Sequence, residues 1–188
     1  MRVDHIRDTL DGQLDTAWTL LELHLAGLDD EECLWRPAAR GPHVHVDHDD
    51  RDGDRDGVWR ADWPEREDYA LGPPSVAWLT WHIGFWWSMA LDHSFGGGTL
   101  RREDVTWPGG ADAARAWLTG LREDWRSALS RLSDDDWRSA ERVRWPFTGR
   151  PFHRLAGWLN LELMKNAAEI GYCRFLYAAR RSASGRSP

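Results

Sequence analysis

From Leu14 onward, large apolar side chains return at alternating steps of four and three residues: Leu14, Trp18, Leu21, Leu25 and Leu28. That rhythm marks one buried face of a helix, predicted over 4–28. "GLDDEECLWRP" ends it, with Pro37 as a stop. The pattern then dissolves into a polar insertion over 38–74, rich in Gly, Pro, Asp and His. Inside it "HVHVDH" and "VWRADW" alternate with the period of a strand and predict a small hairpin across "DDRDGDRDG". A second helix is predicted from Ser75, after Pro73-Pro74, to His93, closed by "FGGG". A third covers 110–132, with Leu118, Leu121, Trp125, Ala128 and Leu132 on one face. "SDDDWRSAERVRWPFTGRP" is a connection holding a short helical turn that Ser133 can cap. A fourth helix runs from Pro151 to Ala179, and residues 181–188 read as a disordered tail. Four long amphipathic helices and little strand signal predict an all-α four-helix bundle, a single domain over 1–180.

The fourth helix breaks its own pattern. Leu155, Leu159, Glu162, Asn166, Glu169, Cys173 and Leu176 keep a bundle-facing spacing, so the seam is apolar at both ends and polar in its middle. In the second helix His82 falls on the same kind of line, with Leu79, Trp86, Met89 and His93. Buried polar groups must be satisfied by each other, by a metal or by a ligand, because each unpaired one costs about 1–3 kcal/mol. The expectation is that this polar set points inward. The plainer alternative is a helical ion pair between Lys165 and Glu169, with Glu162 and Asn166 at a bundle edge and His82 a hydrogen-bonded core histidine.

Composition narrows the chemistry. Of the 24 basic residues only Lys165 is a lysine, and it lies inside this polar stretch. A net charge of −7 without a basic stripe argues against nucleic acid. There is no apolar run long enough for a membrane span and no secretory leader pattern, so a cytoplasmic protein is expected. Two cysteines, Cys33 and Cys173, do not make a disulfide scaffold. Among the 14 tryptophans, Trp78, Trp81, Trp86, Trp87 and Trp158 could wall a pocket for a flat or apolar molecule.

Three stretches, "LAGLDDEECLWRP", "SVAWLTWHIGFWW" and "ELMKNAAEIGYCRFLY", resemble the DinB-like superfamily of metal-binding four-helix bundles, and the likeness spans almost the whole chain. The superfamily includes mycothiol- and bacillithiol-dependent S-transferases and maleylpyruvate isomerase. The resemblance implies a homodimer and a divalent metal, Zn or Ni, held by the histidine of "WHI", here His82, and by two ligands on the last helix. Alignment on Gly171 puts those two ligands at Lys165 and Glu169. A charged lysine has no lone pair to give, so the implied set is His82 and Glu169, with Glu162 as a substitute oxygen ligand. Glu162 and Glu169 lie about 10 Å apart along the axis, from 1.5 Å rise per residue.

With a metal, the implied activity is transfer or isomerisation dependent on a low-molecular-weight thiol. Without one, His82, Lys165, Asn166 and Glu169 form an acid–base constellation, with Trp78, Trp86, Trp158 and Glu162 as substrate-binding candidates. The rival reading is a non-catalytic small-molecule-binding or stress-response protein with no metal. Two other motifs are read without a site: "DGDRDG", which begins like a calcium loop but has Trp63 where a bidentate Glu belongs, as a solvated acidic turn, and His43, His45 and His48 as solvent-exposed histidines, the first two on one face of a strand. His93 lies about 16 Å along its helix from His82, too far to share a site.

Overall fold

The computed structural model describes residues 3–47, 57–66, 68–183 and 185. They are mostly helical: α1 Val3–Leu25, α2 Asp30–Leu34, α3 Val76–Phe95, α4 Ala111–Ser130, α5 Asp134–Arg138 and α6 Phe152–Ala183. Strands β1 Val44–Asp47 and β2 Val58–Ala61 pair antiparallel, with Val44 opposite Ala61. The hairpin predicted from "HVHVDH" and "VWRADW" is thus present, although "DGDRDG" up to Asp56, and His48, fall outside the described residues. No helix among the described residues is long and apolar enough to cross a membrane.

Cross-links between helices give their directions. Asn160 Nδ2 donates to Leu10 O (2.8 Å) and Arg174 Nη1 to His24 O (2.7 Å), so α1 and α6 run the same way. Pro74 O accepts from Cys173 Sγ, while Phe95 packs on Phe152, so α3 runs opposite to α6. Trp117 lies against Gly84 and Trp125 against Phe95, which sets α4 along α3. Helix α3 is buried on nearly all sides, from Val76 through Phe85 without a break. Its sequence, apolar all round, is that of a central helix.

The predicted faces of α1 and α4 hold: Leu14, Trp18, Leu21, Leu25, Leu118, Trp125 and Ala128 are buried. The boundaries shift. Helix α1 stops at Leu25, and Gly27 takes φ +67, a left-handed conformation that glycine adopts without strain. Asp29 then caps the separate helix α2, accepting from Glu32 N. Ser133 caps α5 through its hydroxyl, as the sequence suggests, and Ser75 does the same for α3. At the other end α6 overruns its expected stop, because Arg181, Ser182 and Ala183 continue the helix instead of opening a tail.

Candidate functional site

The site lies where the middle of α6 faces the first half of α3. Only part of the expected seam is buried. Leu155, Leu159, Asn166 and Cys173 are, but Glu162, Glu169 and Leu176 are half-buried and Lys165 is exposed. The reason is the neighbour on the other side. Helix α1 packs on the line of Gly157, Asn160, Gly171 and Arg174, and the core on that side takes in Leu163, Ala167 and Ile170. Glu162 and Glu169 are left at its rim. Of the three polar residues of the α6 seam, Glu162, Asn166 and Glu169, Asn166 alone is fully buried, and it meets the buried His82 of α3.

Asn166 meets His82. The imidazole Nδ1 lies 3.1 Å from Asn166 Oδ1, and Trp86 Nε1 donates to His82 Nε2 over 2.8 Å. An amide oxygen only accepts and an indole N–H only donates, so Nδ1 carries the hydrogen and Nε2 offers its lone pair to Trp86. His82 is held as the neutral Nδ1–H tautomer. Asn166 is fixed in turn, since its Nδ2 donates to Glu162 O at 2.6 Å. Trp78 stacks on the imidazole with ring centroids 4.6 Å apart, and its own Nε1 donates to Asp62 O. The chain Glu162–Asn166–His82–Trp86 is therefore continuous in hydrogen bonds and mostly buried.

At the rim, Lys165 Nζ stands 3.2 Å from Glu162 Oε2, an i,i+3 ion pair. That oxygen is shielded from solvent but off the line of a hydrogen bond, so the contact is chiefly Coulombic. Glu169 lies close enough to Cys173 for its charge to help burial push that thiol up to about 11.

Beyond His82 an aromatic wall continues. Trp86 stacks on Trp145 (5.0 Å) and meets Trp158 edge-on (4.7 Å), and Phe147 closes on Trp158 (5.0 Å). Trp63 reaches the same group from beside the hairpin. Sequence reasoning named Trp78, Trp86 and Trp158 for this wall and missed Trp63, Trp145 and Phe147, which lie in loops without periodicity. The one local signal was the cluster "WPF". Trp81 and Trp87, also proposed as wall, belong to the fully buried core. His93 donates from Nε2 to Leu100 O, apart from His82. His43, half-buried, sits beside Ser75, whereas His45 is exposed near Asp62.

This donor set does not suit a divalent metal. Both nitrogens of His82 are engaged, an ammonium stands at one ligand position, and among the described residues no three His, Cys, Asp or Glu side chains are grouped to share an ion. A family model for the DinB superfamily matches residues 13–170. The chain belongs to the DinB superfamily. That match takes in α3 whole and α6 through Ile170, the two helices that carry His82 and Asn166. No curated protein and no solved structure shows a significant match.

Proposed function

We propose that this DinB-superfamily chain is a four-helix bundle of the family type that binds a small molecule through a metal-free polar cluster under a tryptophan wall. The observation that carries the reading is the double engagement of His82. A ligand imidazole offers a lone pair to its metal, and here the Nε2 lone pair accepts from Trp86 while Nδ1–H is spent on Asn166. The indoles of Trp86, Trp145 and Trp158 offer flat apolar surface, and the Lys165–Glu162 pair supplies charge at the rim. Neither of the chain's own thiols suits nucleophilic chemistry: burial, with nearby carboxylates, holds Cys33 up at about 12 and Cys173 at about 11.

Support for a homodimer comes from the outer face of α6, where Leu161, Tyr172 and Phe175 remain 65%, 63% and 72% exposed.

Elemental analysis of untagged protein incubated with Zn and with Ni tests the metal-free site. We expect less than stoichiometric metal after desalting and an unfolding temperature insensitive to chelator. Stoichiometric Zn or Ni that disappears in His82→Ala would instead restore metal-supported, thiol-dependent transfer or isomerisation as the function.

A further inference from the structure

Beside the hairpin lies a cleft of about 560 Å³ that the His82 cluster does not use. Its wall combines two arginines, Arg36 and Arg40, with apolar surface from Trp63, Pro64 and Leu71. Both arginines are exposed, and among the described residues neither has an ion-pair or side-chain hydrogen-bond partner. The carboxylate in the same wall, Asp62, is already tied: its Oδ2 accepts from His43 N at 3.0 Å and its Oδ1 faces His45 at 3.5 Å. Two guanidinium charges against one carboxylate leave the wall with one net positive charge, in a chain whose overall charge is −7.

The cleft is rigidly framed. Gly41 and Gly72 take φ +148 and +86, and a Cβ on either would fall 2.1 Å from Pro73 O or 2.4 Å from Arg40 O. The segments bearing Arg40 and Leu71 therefore touch backbone to backbone, in a crossing that only glycine permits. Ser75 N donates to Pro42 O (3.0 Å) and Asp62 N to His43 O (2.9 Å), which ties in the segment carrying Trp63. Trp63 is itself held by the Arg102 guanidinium, 5.2 Å from its ring centroid, and by the ring of Phe85 at 5.2 Å. A pre-formed frame lowers the ordering cost of binding.

We propose that this cleft binds a small monocarboxylate carried on a flat apolar body, with Arg36 and Arg40 gripping the carboxylate and Trp63, Pro64 and Leu71 bedding the body. Guanidinium forks match the two oxygens of a planar carboxylate, and one net positive charge suits a monoanion. The cleft adjoins the His82 cluster and shares Trp63 with its wall, but Arg36 and Arg40 belong only to the cleft, so each assignment can fail alone.

Calorimetric titration of the full chain with 2-naphthoate, and with its neutral twin 2-naphthamide, tests the proposal. The acid is expected to bind about tenfold or more tightly than the amide, the value of one charge-assisted contact. The double variant Arg36→Gln/Arg40→Gln should lose about the same factor while keeping its circular dichroism, and His82→Gln should bind as the parent does. Equal affinity for acid and amide overturns the proposal, as does undiminished binding by the double variant. So does inorganic phosphate that competes as strongly as the acid, which makes the cleft a bare anion site. Loss of binding in His82→Gln alone places the probe in the other cluster and equally overturns it.

Discussion

Asn166 and Lys165 are neighbours in sequence and opposites in environment, and their substitutions should separate cleanly. Asn166→Ala removes the acceptor of His82 Nδ1–H inside the core. We expect a loss of about 1–3 kcal/mol, the cost of an unsatisfied buried donor, in urea denaturation. Lys165→Met removes an exposed partner from a surface ion pair and should cost less than about 1 kcal/mol. Equal losses would contradict the burial difference. The tautomer is checked independently by nitrogen NMR of the imidazoles, where His82 should show a protonated Nδ1 and an unprotonated, hydrogen-bonded Nε2. Sequence spacing turned His82 and Asn166 inward, and both are buried. It could not place Glu162, Lys165 and Glu169. At about 100° per residue Glu162 and Glu169 lie about 40° and 60° from Asn166 and Lys165 lies about 100° from it, all on the side away from α1, and which side is covered depends on where α1 packs.

Among elements, the α1–α6 contact shows how far a sequence pattern reaches. The buried face of α1 was legible from periodicity and that of α6 only in part, and the bracket that joins them was not legible at all. Arg174 grips Glu32 of α2 with both ends of its fork (2.9 and 3.1 Å), and its Nη1 donates to His24 O and Ala26 O at the end of α1. No local rule links residues so distant in the chain, although Glu32 lies in the same "DDEECL" that marks the end of the first helix. Arg174→Met leaves a largely buried carboxylate and two helix-end carbonyls without their partner, and should cost about 3–5 kcal/mol. Thermal unfolding of that variant checks it, and a change under 1 kcal/mol would show the bracket to be ornamental. Gly171 makes the same contact possible, for a Cβ there would lie 2.5 Å from the His24 ring. Gly171→Ala should therefore destabilise, by about 1–3 kcal/mol, despite alanine's better helix propensity.

Two properties belong to the molecule as a whole. The first is its thiols. Cys33 and Cys173 are buried in the core and held well above neutral, so iodoacetamide at pH 8 should modify neither in the folded chain and both in denaturant. Labelling of one thiol under native conditions would locate a region that opens. The second is acid sensitivity. His43 is held below its ordinary value of 6.5, first by burial and then by the charge of Arg36. The unfolded chain therefore takes up this proton at higher pH than the folded one. The contribution of neutral His43 is complete above pH 6.5 and declines as pH falls below it toward the folded value. His43→Gln should accordingly lose less unfolding temperature than the parent between about pH 7.5 and pH 5. That the insertion holds a titrating residue against the bundle was not visible in "HVHVDH", whose histidines read as solvent-exposed on a strand. Its anchoring depends on the Ser75 cap, beside which His43 lies in space.

The indole wall has an optical consequence. Trp86 and Trp145, stacked at 5.0 Å with planes 26° apart, are near enough for their electronic transitions to couple. Such pairs give a signed doublet in circular dichroism that overlies the helical signal, so helix content estimated from the spectrum of this chain should differ from its true value. The same doublet should change when a molecule slides between those rings, giving a label-free readout of occupancy without any dye.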